Sequence, residues 1–444
     1  MVAALVAVAV LSAAVPGSAA APEVIESAAS GGAPAQNVTP LGDLVSVYNF
    51  GPLQPAVTAG AQAAAEDAGG WGVPTRGFGT GLLRVSRGGA VVKQAPGPFG
   101  AWYYPVSITA MPLDSIGAIL GRGVSSPIAA GTIVMSETSA GLFSAQAGDV
   151  VDLEAADGSI VQAIVGRVAP DGEIGGAEVV MSTAQADLLG ATLDTSVVIY
   201  GQFTRGQLES ALAARGLSTD PNIRVRRSWD PLDPDSTIGL ARTKKALGMF
   251  SFHVAANDAV TVDDAWRASY VPSRDLYPAG VSAVCNQNIK ADLSAALQEV
   301  VDYGLAGHID LANTNTYGGC FGPRFTRLVG SQLGTLSRHS WAQAIDMNTV
   351  ANCQGCVPKM DCRIVRIFRK HGFAWGGNFL KSDGMHFEWV GEPRNTYQYP
   401  SRYCPNVPGG GIESVGTAYG GTAPLTGNSR NVMFADDGGS LAGE

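Results

Sequence analysis

The chain has 444 residues, more than one core normally spans, so two or more domains are expected. Hydrophobic residues make up 46% and charged residues only 15%, which excludes disorder along the whole chain. A formal charge of −9 argues against a nucleic-acid binder, whose interface would carry a basic face. The short runs Arg224-Val225-Arg226-Arg227 and Arg242-Thr243-Lys244-Lys245 are read as solvated surface.

Residues 1–20 hold an apolar run, Met1 to Val15, followed by Pro16-Gly17-Ser18-Ala19-Ala20. That is the form of an export signal, with one departure: no Lys or Arg precedes the run, which leaves an uncleaved anchor as the alternative. The run is short for a membrane span, and no later stretch approaches spanning length free of charge. A secreted or cell-wall-associated protein without a stable membrane span is therefore expected. Residues 21–40, rich in Ala, Pro, Ser and Gly, read as a linker.

Residues 41–230 predict a β-rich α+β domain. Val150 to Glu154 and Ile160 to Val168 flank Ala156-Asp157-Gly158 as the two strands of a hairpin. Val179 to Met181 and Val197 to Tyr200 predict further strands. Thr204-Arg-Gly-Gln207 has the form of a capping box, opening a helix through Leu208 and Leu212 that stops at Gly216. No cluster here demands chemistry, so the reading is a binding or spacer module, with an envelope protein as its expected kind of partner. Trp229-Asp-Pro-Leu-Asp-Pro-Asp235 marks a break, and 231–274 is read as a connecting segment. A second α+β domain follows over 275–405. Its first helix is predicted from the spacing of Leu293, Ala296, Leu297 and Val300. Residues 406–444 are rich in Gly, Ser and Asn and predict a disordered tail.

All six cysteines, Cys285, Cys320, Cys353, Cys356, Cys362 and Cys404, fall in this second domain. An even, clustered set in an exported chain reads as a disulfide framework. The competing reading is a four-cysteine zinc site, because Cys353-x-x-Cys356 has ligand spacing.

Of five histidines, His253 and His308 are read as structural and His371 as a cation at a helix C-terminus. The other two sit in Ser337-Arg-His339-Ser-Trp-Ala-Gln-Ala-Ile-Asp346-Met-Asn348 and in Trp375-Gly-Gly-Asn-Phe-Leu-Lys-Ser-Asp383-Gly-Met-His386-Phe-Glu388. A straight helix would hold residues seven apart, such as His339 and Asp346, about 10 Å apart along its axis. Atoms sharing one zinc ion each lie about 2 Å from it, so a helix is a poor carrier for that pair. The alternation agrees: Ile345 and Met347 take one face of a strand and Asp346 the other, while Met385, Phe387 and Trp389 oppose His386 and Glu388. His339 then belongs on a turn folding back beside Asp346. Together His339, Asp346 and His386 make a zinc set of two imidazoles and one carboxylate with a position open for water. Asp383 is placed to act as general base, and Arg324 to stabilise a developing oxyanion, with Arg327 the poorer second choice. Glu388 is expected to orient His386 or to touch substrate. Trp341 and Trp375 are read as packing residues ahead of substrate platforms.

These motifs resemble the zinc metallopeptidase family of VanY-type D-alanyl-D-alanine carboxypeptidases and L-alanyl-D-glutamate endopeptidases. The family pattern is matched by Arg324, by Ser337-x-His339-x-x-Ala342-x-Ala344-x-Asp346, by Trp375-Gly376-Gly377, and by Asp383-x-Met385-His386-Phe387-Glu388. The resemblance implies one Zn2+ per chain on His339, Asp346 and His386, with Asp383 as base and Arg324 near the scissile carbonyl. It leaves Glu388, Ser337 and Trp375 in supporting or substrate-contacting roles. It also implies an α+β fold with a small antiparallel sheet and flanking helices, and peptidoglycan stem peptides as substrate. Ala342 departs from the family's usual glycine, and its methyl is expected to narrow the turn after His339. The rival expectation is a non-hydrolytic, zinc-containing binding module on the same scaffold, as in the Hedgehog signalling domain.

Overall fold

The computed structural model describes residues 23–24, 42–98, 100–255, 258–311, 319–326 and 334–412. The predicted export signal, most of the linker, Arg327 and residues 413–444 of the tail lie outside the described residues. In chain order the N-terminal part runs β1 (Glu23–Val24), β2 (Val45–Asn49), α1 (Pro55–Asp67), β3 (Gly70–Arg87), β4 (Ala90–Gln94), β5 (Tyr104–Met111), α2 (Leu113–Leu120), α3 (Arg122–Ala129), β6 (Ile133–Ser136), α4 (Glu137–Phe143), β7 (Val150–Glu154), β8 (Ile160–Ala169), β9 (Val179–Ser182), α5 (Thr183–Leu188), β10 (Ser196–Gly201), α6 (Arg205–Ala214) and β11 (Ile223–Arg227).

Two sheets share the long strand β3. Its first residues pair with β10, and the order β3–β10–β2–β11 is antiparallel throughout. With α1 and α6 packed on one face through Val47, Ala61, Ile199 and Leu208, this is a split β-α-β arrangement. Between β3 and β10 the chain makes a closed barrel: β3 pairs β5, β5 pairs β9, β9 pairs β6, β6 pairs β8, β8 pairs β7, and β7 returns to β3. Phe78, Leu82, Ile108, Val151, Ala163, Val165 and Met181 fill a core inside it. The β7–β8 hairpin, the strands β9 and β10 and the Thr204–Gln207 capping box stand where the sequence predicts them. Barrel closure was not foreseen, because it depends on pairing β7 with a strand more than sixty residues earlier.

The rest of the chain adds α7 (Leu240–Leu247), β12 (Phe252–Val254), β13 (Val260–Val262), α8 (Asp264–Tyr270), β14 (Asp275–Leu276), β15 (Ser282–Ala283), α9 (Lys290–Asp302), β16 (Ala344–Asp346), α10 (Cys362–Lys370), β17 (Phe373–Trp375) and β18 (His386–Trp389). The last three strands form an antiparallel sheet in the order β16–β18–β17. Ile345, Met347, Phe373 and Phe387 are fully buried on it, with Phe387 against Phe368 of α10 at 4.5 Å between ring centres. Three disulfides join Cys285 to Cys320, Cys353 to Cys356 and Cys362 to Cys404, so the disulfide reading prevails over a cysteine zinc site. Among the described residues no helix is long and apolar enough to cross a membrane.

The segment 231–274 is more than a tether. Phe250 packs on Trp341 with ring centres 4.5 Å apart, and Leu240, Leu247, Val262 and Trp266 share one core cluster with α9 and α10. Packing also continues past residue 405, since Asn406, Val407 and Ile412 are buried.

The basic runs correct the sequence reading in part, since Arg242 and Lys245 are exposed as read. Arg224, Arg226, Arg227 and Lys244 are buried, each engaged by a group distant in sequence. Arg224 donates to the carbonyl of Asn378, Arg226 lies over the Tyr48 ring, and Arg227 clasps the Glu209 carboxylate. Lys244 Nζ meets Glu178 Oε1 at 2.6 Å and donates to the Pro105 carbonyl at 2.8 Å, with both charged side chains fully enclosed. Burial pushes the Lys244 ammonium down, against the pull of Glu178. This pair joins α7 to the barrel. Replacing Lys244 by Met should leave Glu178 as an uncompensated buried charge and cost about 3–5 kcal/mol in denaturant unfolding. Adding Glu178→Gln should recover part of that loss, and an unchanged unfolding midpoint in the single variant would show that the pair carries no stability.

Candidate metal centre

Register brings the first two ligands together. In the β16–β18 ladder Asp346 stands directly opposite His386, with Ile345 opposite Phe387 and Ala344 opposite Glu388. The alternation read from the sequence thus places Asp346, His386 and Glu388 on one face while Ile345 and Phe387 enter the core. His339 arrives from a short 3-10 turn, Arg338–Trp341, capped by Ser337, whose Oγ accepts the His339 N–H at 3.2 Å. The turn closes through Ala342 N–H to the His339 carbonyl at 3.0 Å. Ala342 takes φ 52° and ψ 34°, the left-handed region that favours glycine. The methyl is buried in the core, and the turn still closes.

A second segment is strapped to this turn. The Gly322 N–H donates to the His339 carbonyl at 3.0 Å, Arg324 N–H to Ser340 Oγ at 3.2 Å, and Ser337 N–H to the Arg324 carbonyl at 2.9 Å. The Cys285–Cys320 disulfide anchors the start of this strap. Arg324 is thereby held beside His339 by its backbone, while its exposed guanidinium donates to the Gly322 carbonyl at 3.1 Å.

The three candidate ligand atoms form a nearly equilateral triangle. His339 Nε2 lies 3.3 Å from His386 Nδ1 and 3.2 Å from Asp346 Oδ1, and His386 Nδ1 lies 3.2 Å from Asp346 Oδ1. A tetrahedral zinc ion bound at about 2.0–2.1 Å sets its ligand atoms roughly 3.3–3.4 Å apart, so the triangle fits. The remaining ring nitrogens are also engaged. His339 Nδ1 faces the Cys320 carbonyl at 3.0 Å, and His386 Nε2 faces Glu388 Oε2 at 3.4 Å. With a cation in the triangle, these partners would keep the single proton of each ring on its outward nitrogen and leave the inward lone pair for the ion. Burial alone would push the Asp346 carboxyl up. The charges and hydrogen bonds of His339 and His386 outweigh burial and hold it well below the ordinary carboxylate range. His339 and His386 are almost fully enclosed, and Asp346 keeps 15% of its side chain exposed.

Asp383 lies buried in the turn before β18. Its N–H donates to the Gly376 carbonyl at 2.8 Å, and its own carbonyl accepts the His386 N–H at 3.2 Å. Trp375 is fully buried, with Nε1 bonded to the Gly384 carbonyl at 2.9 Å, which makes it a support for that turn. Trp341 is likewise buried. The other histidines stay apart: His253 bonds the Ala101 carbonyl, His308 pairs with Asp361, and His371 caps α10 beside Glu299.

One supporting residue went unnoticed in the sequence. Arg338, buried between Ser337 and His339, donates from Nε to Glu388 Oε1 at 3.3 Å. Its place inside the His339 motif was the available signal. Glu388→Gln should weaken this chain of contacts and lower zinc affinity by about 10–100-fold in chelator competition, the usual effect of losing an outer carboxylate partner. Wild-type affinity in the folded variant would remove Glu388 from that role.

No curated protein matches the chain. The segment 331–389, which contains His339, Asp346, His386, Asp383 and Glu388, matches the family model described as D-alanyl-D-alanine carboxypeptidase.

Proposed function

We propose that this chain is an exported, zinc-dependent peptidase that hydrolyses peptidoglycan stem peptides, as an L,D-endopeptidase or a D,D-carboxypeptidase. The observation that carries the reading is the ligand triangle with edges of 3.2–3.3 Å, set within the segment that matches the peptidase family. The apolar N-terminal run and the three disulfides support export.

His339 Nε2, His386 Nδ1 and Asp346 Oδ1 would hold the zinc. When bound, the ion supplies Lewis-acid polarisation of the scissile carbonyl and lowers the pKa of water at its open position. The chain's own residues do the rest. The Asp383 carboxylate takes the proton of the attacking water and delivers it to the leaving amine. The Arg324 guanidinium, carried on the strap beside His339, donates to the carbonyl oxygen as negative charge builds there. Cys320 and Glu388 keep the two imidazoles in the tautomers that leave the inward nitrogens unprotonated.

The test is zinc content together with mass spectrometry of purified peptidoglycan after digestion, on wild type and Asp383→Ala. About one zinc per chain in both is expected, with new stem-peptide fragments from wild type only and a loss of at least about 100-fold in the variant. Fragment masses name the bond. Zinc without fragments from wild type would replace the peptidase by a binding module on the same scaffold.

A further inference from the structure

Two threads of hydrogen bonds run to the centre from a stretch that lies outside both the family match and the sequence-predicted peptidase domain. The stretch is 233–238. The first thread starts at Asp235, whose carboxylate is buried and receives four donors. Oδ1 accepts Arg369 Nε at 2.8 Å and the Trp375 N–H at 3.0 Å, while Oδ2 accepts Arg369 Nη2 and Asn378 Nδ2, the latter at 2.7 Å. Trp375 and Asn378 bracket Gly376 and Gly377, where the chain turns from β17 over the centre. Gly376 touches the Asp383 turn directly. Its carbonyl accepts the Asp383 N–H at 2.8 Å, and a Cβ built on it would stand 2.6 Å from the Asp383 carbonyl oxygen and 3.0 Å from His386 Cβ.

The second thread starts three residues on. The Ile238 carbonyl accepts Arg338 Nη2 at 3.0 Å, Arg338 Nε donates to Glu388 Oε1 at 3.3 Å, and Glu388 Oε2 faces His386 Nε2 at 3.4 Å. The Ile238 side chain packs with Ala374 of β17 and Val390, just beyond β18. One short segment therefore grips both the turn that carries Asp383 and the carboxylate that orients His386.

We propose that 233–238 is an integral brace of the metal centre and that Asp235 is a positioning residue for the Asp383 turn. Arg369 fixes the rotation of the Asp235 carboxylate from one side, so the other lone pairs present a rigid acceptor pair to Trp375 and Asn378. A displacement of the Asp383 turn by a fraction of an ångström would slow proton transfer sharply without moving groups that bind the substrate's remote parts. The effect on turnover rests on the peptidase reading above; the effect on the centre's geometry does not.

The test uses the full-length chain with Asp235→Asn and, separately, Asn378→Ser. The first keeps the shape of the side chain but loses its charge and one acceptor. The second removes the Asn378 link to Asp235, together with the two bonds of that amide to the Tyr403 backbone, and leaves the Arg369 pair intact, so it decides the matter if Asp235→Asn does not fold. Both are assayed well below their melting temperatures. The brace predicts that kcat on stem peptides falls about tenfold or more while KM stays within about twofold. It also predicts that the visible absorption of the cobalt-substituted protein shifts relative to wild type. Folded variants with wild-type kcat and an unchanged cobalt spectrum would overturn it, leaving Asp235 a contributor to stability alone. If wild type cleaves no stem peptide, the peptidase reading falls and the cobalt spectrum alone decides: a shift sustains the brace, and identity refutes it.

Discussion

The antiparallel register of β16 on β18 is the constraint on which the site depends. It sets Asp346 opposite His386, and the period of two in each strand sends both to the same face while Ile345 and Phe387 lock the ladder into the core. A slip of one residue would turn every one of these side chains to the wrong face. The buried apolar face therefore fixes the polar constellation, and the packing of Phe387 on Phe368 is as much a part of the centre as the imidazoles are.

Around that pair the protein spends few charges, and it places many of them inside. Arg338 with Glu388, Arg369 with Asp235 and Lys244 with Glu178 are enclosed pairs that tie segments distant in sequence. Buried pairs of this kind add little net stability, but each penalises any arrangement in which one partner is left alone. Two of the three act on the elements that surround the ligands. In a chain with only 15% charged residues, this use of charge favours a single geometry over a soluble surface.

The local part of this organisation was legible in the sequence. Alternation assigned Ile345 and Phe387 to the core and Asp346, His386 and Glu388 to the opposite face correctly, and the spacing of His339 and Asp346 ruled out a helix. The Thr204–Gln207 box and the helix through Leu293 and Val300 were equally plain, since capping and 3.6-residue periodicity are local signals. What stayed hidden was non-local. Arg224 and Lys244 looked like surface because their partners, Asn378 and Glu178, lie far away in the chain. Asp235 sat in a proline-rich break with nothing to show that four donors would converge on it. The barrel was invisible because each strand is ordinary and only the β7–β3 pairing closes the ring.

The proposed function stands on His339, Asp346 and His386 holding one zinc ion between them. Diffraction from crystals of the zinc-loaded protein, recorded on both sides of the zinc absorption edge, tests it directly. A single anomalous peak is predicted, about 2.0–2.1 Å from His339 Nε2, His386 Nδ1 and Asp346 Oδ1. A peak elsewhere, or none at this triangle in protein that has been shown to bind zinc, would contradict it.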